Sequence, residues 1–167
     1  MRTRPVMLDT SFLITYTDPS RPNHGTAKEY FREAVRLQIP MLLSSIVVAE
    51  FERRQSVSTL GLKNFRVLPF NFDDGQEAAQ LANALFPKDA TNDRVSLLAD
   101  VKIIAQAKRA NAVAILTEDA DSMAKYIDGL RGAGRIDCHA VLNKDGFDSG
   151  RLVSPSSPGL QFPPVTA

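Results

Sequence analysis

Four carboxylates stand at positions where acids are costly. Asp9 closes the apolar run of PVML and is followed at once by Thr10 and Ser11. Asp119 takes the equivalent place after AILT, two residues past Thr117. Asp100 lies inside a helical pattern, with Leu97, Ile103 and Ile104 three and four positions away and Ala107 two turns on, so it follows the apolar stripe. Glu50 comes one turn after Ile46 and Val47 and one turn before Arg53 and Arg54, at the edge of a buried face. Burying one unpaired carboxylate costs several kcal/mol, and two at about 4 Å repel by roughly 4 kcal/mol at an effective dielectric of about 20. A cluster of four makes sense mainly if cations neutralise it. Cys138 is the single cysteine, and His24 and His139 lie in a loop and near a late strand, so the donors are oxygens. Oxygen ligands favour a hard divalent ion, Mg2+ or Mn2+, over zinc.

Each acid also has a plain structural explanation. Asp9 and Asp119 can be helix caps, and Glu50 can pair with Arg53 or Arg54. Asp100 has the weakest such explanation, because a mid-helix acid in an apolar stripe needs a partner. An acidic site repels phosphates until metal arrives, so basic residues must surround it. Arg53, Arg54 and Lys102 are candidates for contacts to a phosphate backbone, as are Lys63, Arg66, Lys108, Arg109 and Lys125. No Ser, Cys and His pattern points to a nucleophilic triad.

The elements that must position these groups follow from the hydrophobic periodicity. A strand at 6–8 leads into a helix from Thr10 to Tyr16, and 17–25 is a loop with two prolines. Residues 26–38 form a helix that Pro40 stops. A second strand at 41–44 precedes a helix at 46–54 capped by Ser44 or Ser45. A third strand falls within 65–70, and Asp73 or Asp74 with Glu77 offers a capping box for a helix at 76–86 that Pro87 ends. Asn92 or Asp93 starts a long helix at 94–110. A fourth strand at 112–117, a helical stretch at 119–130 and a last strand at 135–142 complete the pattern. Short, continuously apolar strands alternating with helices predict an α/β fold, with a mostly parallel four- to five-stranded sheet between helix layers. Ligands of such sheets bind beyond the carboxyl ends of the strands, where Asp9 and Asp119 sit.

With 167 residues, 44% hydrophobic and 23% charged, the chain fits one globular domain with its own core. That domain is expected over 1–144, followed by a Pro/Ser-rich tail at 145–167, loosely ordered or draped on the surface. A net charge of +1 is not that of a strongly basic, non-specific nucleic-acid binder. No apolar run reaches about 18 residues, so no membrane span is expected. The basic start MRTR meets only a short apolar stretch, which argues against a secretory signal. One cysteine permits no internal disulfide and fits a reducing, cytoplasmic compartment.

MLDTSFLI with Asp9, SSIVVAEF with Glu50, LLADVKIIAQA with Asp100 and AILTEDADS with Thr117 and Asp119 occur in an order that resembles the PIN-domain nucleases. Within them, the chain looks most like the VapC-type toxins of toxin–antitoxin pairs. RVLPF followed by QEAAQLANAL is similar to the middle of that family, and the likeness runs from residue 6 to about 128. It implies a PIN-like, Rossmann-like three-layer fold and a Mg2+- or Mn2+-dependent endoribonuclease. Asp9, Glu50, Asp100 and Asp119 would be the acidic quartet, with Asp9, Asp100 and Asp119 on the metal and Ser11 and Thr117 in support. Asp121 and Asp93 are extra acids, either of which can replace or assist Asp119. The resemblance further implies an RNA substrate, an antitoxin partner and a homodimer. Two alternatives stand beside it: a catalytically silent PIN-like module that binds RNA or protein, and another magnesium-dependent phosphohydrolase. Against the second, Asp9 is followed two positions on by Ser11 and not by an acid.

Overall fold

A computed structural model describes residues 3–86 and 94–153, with the side chains of 94–97 excepted. Five strands form one sheet: β1 (Val6–Leu8), β2 (Met41–Ser44), β3 (Phe65–Leu68), β4 (Ala114–Thr117) and β5 (His139–Leu142). Their order is β3-β2-β1-β4-β5 and every pairing is parallel, so the expected mostly parallel sheet is wholly so. Leu8 stands level with Leu43 on one side and Leu116 on the other. Helices cover both faces at the centre, and β1, β2 and β4 are buried along their full length. Their lack of alternation follows from that cover. The edge strand β3 keeps Arg66 and Val67 exposed.

The helices are α1 (Thr10–Thr17), α2 (His24–Arg36), α3 (Ser45–Glu52), α4 (Phe72–Leu85), α5 (Arg94–Arg109) and α6 (Met123–Gly132). Among the described residues, none is long and apolar enough to cross a membrane. Three helices start two or more residues from their expected points: α2 begins early, at His24, and side-chain carboxyl and amide groups that take backbone N–H groups explain the shifts of α4 and α6. For α4 the capping box is Asn71 with Asp74, not Asp73 or Asp74 with Glu77: Asn71 Oδ1 accepts from the Asp74 N–H at 3.0 Å, and Asp74 Oδ2 accepts from the Asn71 N–H at 3.0 Å. Glu77 instead pairs with Lys108 of α5. The stretch 119–122 is a turn, not the first turn of α6, because the Asp119 carboxylate takes the N–H groups of Asp121 and Ser122. Asn92 and Asp93, expected to start α5, lie outside the described residues.

Residues 145–153, grouped above with the tail, are held against the body of the fold. The Tyr30 hydroxyl of α2 donates to the Gly146 carbonyl at 2.9 Å and accepts from the Asp148 N–H at 3.1 Å. Phe147 meets the Tyr30 ring edge-on at 5.0 Å, Leu152 is buried, and His139 Nε2 lies 2.9 Å from the Arg151 carbonyl. The prolines that suggested a loose tail all fall at 155 and beyond.

Candidate functional site

Asp9 is placed by the end of β1. Its backbone is extended (φ −84°, ψ 156°), so it caps α1, with Oδ1 accepting from the Thr10 N–H at 2.8 Å. The other oxygen, Oδ2, accepts from Ser11 Oγ and Thr117 Oγ1, each at 2.7 Å. Each hydroxyl in turn accepts a backbone N–H, from Glu118 to Ser11 at 2.9 Å and from Asp119 to Thr117 at 3.0 Å. Those N–H donors aim both hydroxyl protons at Asp9. The cap explanation of Asp9 is therefore correct but incomplete, since a surface cap would not be 6% exposed and held by three donors. Burial raises its pKa, against the lowering effect of Ser11, Thr117 and Thr10, and Glu50 raises it further.

Asp100 faces the same end of the sheet from α5. Ser122 Oγ lies 2.7 Å from Asp100 Oδ2 and 2.5 Å from Asp119 Oδ2. A hydroxyl has one proton and cannot satisfy two carboxylates at once. Burial pushes the Asp100 pKa up to about 6; Ser122 lowers it, while Asp9, Asp119 and Glu50 add to the rise. Asp9, Asp119 and Glu50 thus all lie within electrostatic reach of Asp100. Asp119 is a cavity group that holds the turn before α6 and not the cap of that helix, which is Ser122; its Oδ1 accepts from the N–H groups of Asp121 at 3.0 Å and Ser122 at 2.8 Å. Glu50 of α3 accepts from Thr10 Oγ1 through Oε2. Among the described residues it forms no ion pair with Arg53 or Arg54.

Asp9, Glu50, Asp100 and Asp119 line one cavity of about 460 Å³ beyond β1 and β4, together with Thr10, Ser11, Ile14, Arg53 and Arg54. Among the described residues, no three His, Cys, Asp or Glu side chains form a tight cage for an ion. The acids ring the hollow instead, each braced by hydroxyl or amide donors. The donor set fits a hard divalent cation: oxygens alone, with two carboxyls whose ionised forms burial and like charge disfavour. Opposite charge inside the ring would reverse that penalty.

Other candidates fall elsewhere. Asp121 is exposed and meets the site through its backbone, and Asp93 lies outside the described residues. Lys102 does not line the cavity; its ammonium sits 5.7 Å from the Phe70 ring centroid. Lys108 and Arg109 are engaged by Glu77, Asp73 and Asp74. Arg66 borders a different cavity of about 1030 Å³ with Arg4 and Gln38, toward the amino ends of the strands. Thr10 and Ser122 join the site beyond the residues expected from sequence. Their signal is local: each hydroxyl residue lies one or three positions from an acid that ends a strand.

Several known structures share this architecture. FitAcB from Neisseria gonorrhoeae has a TM-score of 0.59 at 20% identity, over 83% of this chain and 98% of its own. VapC20 from Mycobacterium tuberculosis, described as a sarcin-ricin loop cleaving toxin, has a TM-score of 0.52 at 18% identity, over 80% of this chain and 98% of its own. A toxin–antitoxin complex from Klebsiella pneumoniae has a TM-score of 0.51 at 19% identity, covering 83% and 97%. At these identities the likeness is one of fold. No curated protein matches the chain in sequence. The PIN domain matches residues 6–128, the span that carries β1 to β4 and all four cavity acids, and the chain therefore belongs to the PIN-domain family.

Proposed function

We propose that the protein is a divalent-metal-dependent endoribonuclease that hydrolyses RNA phosphodiesters, and that it is the toxin of a toxin–antitoxin pair. The observation that carries this reading is the ring of carboxylates from four separate segments around one cavity, with two arginines at its border. Asp9, Asp100 and Asp119 would hold Mg2+ or Mn2+. The ion, when bound, supplies Lewis-acid charge at a phosphodiester oxygen and lowers the pKa of a coordinated water. Ser11 and Thr117 keep the Asp9 carboxylate fixed in one plane, so that little reorganisation accompanies reaction. Glu50, with Oε2 held by Thr10, presents Oε1 as the base for the attacking water. Arg53 and Arg54 bind the backbone phosphates on either side of the cleaved bond. The water oxygen bonds to phosphorus as the bond to the 3′ oxygen breaks; Glu50 takes the proton of the water, solvent protonates the departing 3′ oxygen, and no covalent intermediate is needed.

The toxin setting rests on fold likeness to a toxin described as cleaving and to a toxin–antitoxin complex. The partner would be a small antitoxin that covers the acidic cavity. Purified protein incubated with single-stranded RNA should cleave with Mn2+ or Mg2+ and stop with EDTA. Asp9→Asn should lower the rate by roughly 100-fold or more, the scale seen when one preorganised electrostatic group is removed. Cleavage that persists in EDTA would contradict the mechanism. Tight Mn2+ binding without any cleavage would favour the silent binding module.

A further inference from the structure

Glu118 follows Thr117 directly, yet it points away from the acidic ring and does not line the cavity. Both of its carboxylate oxygens are taken by side-chain amides. Asn23 Nδ2, from the residue before α2, donates to Oε2 at 3.0 Å, and Asn143 Nδ2, just after β5, donates to Oε1 at 2.5 Å. The Glu118 backbone N–H donates to Ser11 Oγ at 2.9 Å, and Ser11 Oγ donates to Asp9 Oδ2 at 2.7 Å. Asn143 is 1% exposed, and among the described residues its Oδ1 has no hydrogen-bond partner. A buried amide that leaves its carbonyl unsatisfied carries a cost. The NH2 side faces Glu118, and turning the amide over would set oxygen against oxygen. Asn143 also opens the segment 143–153 that Tyr30 anchors to α2.

We infer that Glu118 is a positioning residue, clamped by Asn23 and Asn143, through which the segment after β5 fixes the Ser11 hydroxyl and hence the Asp9 carboxylate. This rests on the metal-site reading above. The clamp spans three parts of the chain that no local pattern connects, and it reaches Asp9 through two hydrogen bonds. Groups that orient a metal ligand typically change metal affinity by about 10- to 100-fold when removed.

The test is Mn2+ titration by calorimetry on the full chain, with thermal unfolding of each variant in EDTA alongside. Asn143→Ala changes no charge and should weaken Mn2+ binding about tenfold, more than any shift in midpoint explains. Glu118→Gln should weaken it too. Combining Glu118→Gln with Asn143→Asp restores one donor, one acceptor and the same total charge, and should return affinity to within about threefold of the parent. Unchanged Mn2+ affinity in Asn143→Ala, with only a lowered midpoint, would overturn the positioning role and leave the metal site standing. If the parent chain shows no Mn2+ binding that Asp9→Asn removes, the metal reading falls and this inference falls with it.

Discussion

Replacing Asp100 by Asn should make the metal-free protein more stable, although it removes a hydrogen-bonded side chain. Asp100 has its pKa raised from 3.8 to about 6, chiefly by burial and then by Asp9, Asp119 and Glu50. A carboxyl whose folded pKa exceeds its unfolded value binds more protons in the folded state, so its contribution is most favourable below about pH 4. It is lost as pH rises through about 6 and stays unfavourable above that. The rise corresponds to about 3 kcal/mol at about 1.36 kcal/mol per pH unit, and solvent screening at this half-buried group reduces that to roughly 1–2 kcal/mol. Asn keeps an acceptor for Ser122 and carries no charge. Urea or thermal unfolding in EDTA should therefore show Asp100→Asn ahead of the parent by roughly 1–2 kcal/mol near pH 7.5, or about 3–6 °C in midpoint for a chain of this length. Near pH 4 the two should coincide. Mn2+ at about 100 times its dissociation constant should add about 2.7 kcal/mol to the parent and less to the variant. A variant less stable than the parent near pH 7.5 in EDTA, or a gap independent of pH, would refute the electrostatic account.

Ser122→Ala removes the hydroxyl that lowers the Asp100 pKa. Its pH–stability curve in EDTA should accordingly keep falling to a higher pH than the parent's, and unfolding midpoints from about pH 4 to 8 would show it. Gln106 is 2% exposed and joins the Ser44 hydroxyl, the Pro69 carbonyl and Asp74. Gln106→Leu should cost about 1–3 kcal/mol by leaving those groups unpaired, as read by chemical denaturation. Burial pushes the Cys138 thiol up to about 11, so a disulfide reagent near pH 8 should label it only after denaturant is added; fast labelling of the native chain would contradict its place in the core.

The sheet and the neighbourhood of Asp9 were legible because short apolar runs have few alternatives in an alternating strand–helix chain. Asp9 and Asp119 follow such runs directly, and the rule that parallel strands open their sites at the carboxyl end placed both on one side. Asp100 was legible as an acid in an apolar stripe. Local choice among competing groups was not legible. Asn71, Asp73 and Asp74 are all competent cap residues, and the pairing of Glu77 with Lys108, 31 positions away, removed one of the candidate boxes. Lys102 has the composition of a phosphate contact, but its helical phase turns it to Phe70. The link of Asn143 to Glu118 joins residues 25 apart with no periodic signature, and only the packing of β5 beside β4 brings them together.

The strand order has a consequence for how such a site can change. From β1 the chain winds outward through β2 and β3, then returns to lay β4 and β5 on the other flank. The connections leaving β1 and β4 therefore diverge to opposite sides, and a crevice opens between them whatever side chains line it. The winding thus makes the pocket and the carboxylates only tune it. A descendant that exchanged its acids for amides would keep a ready-made crevice while giving up the negative charge that lines it.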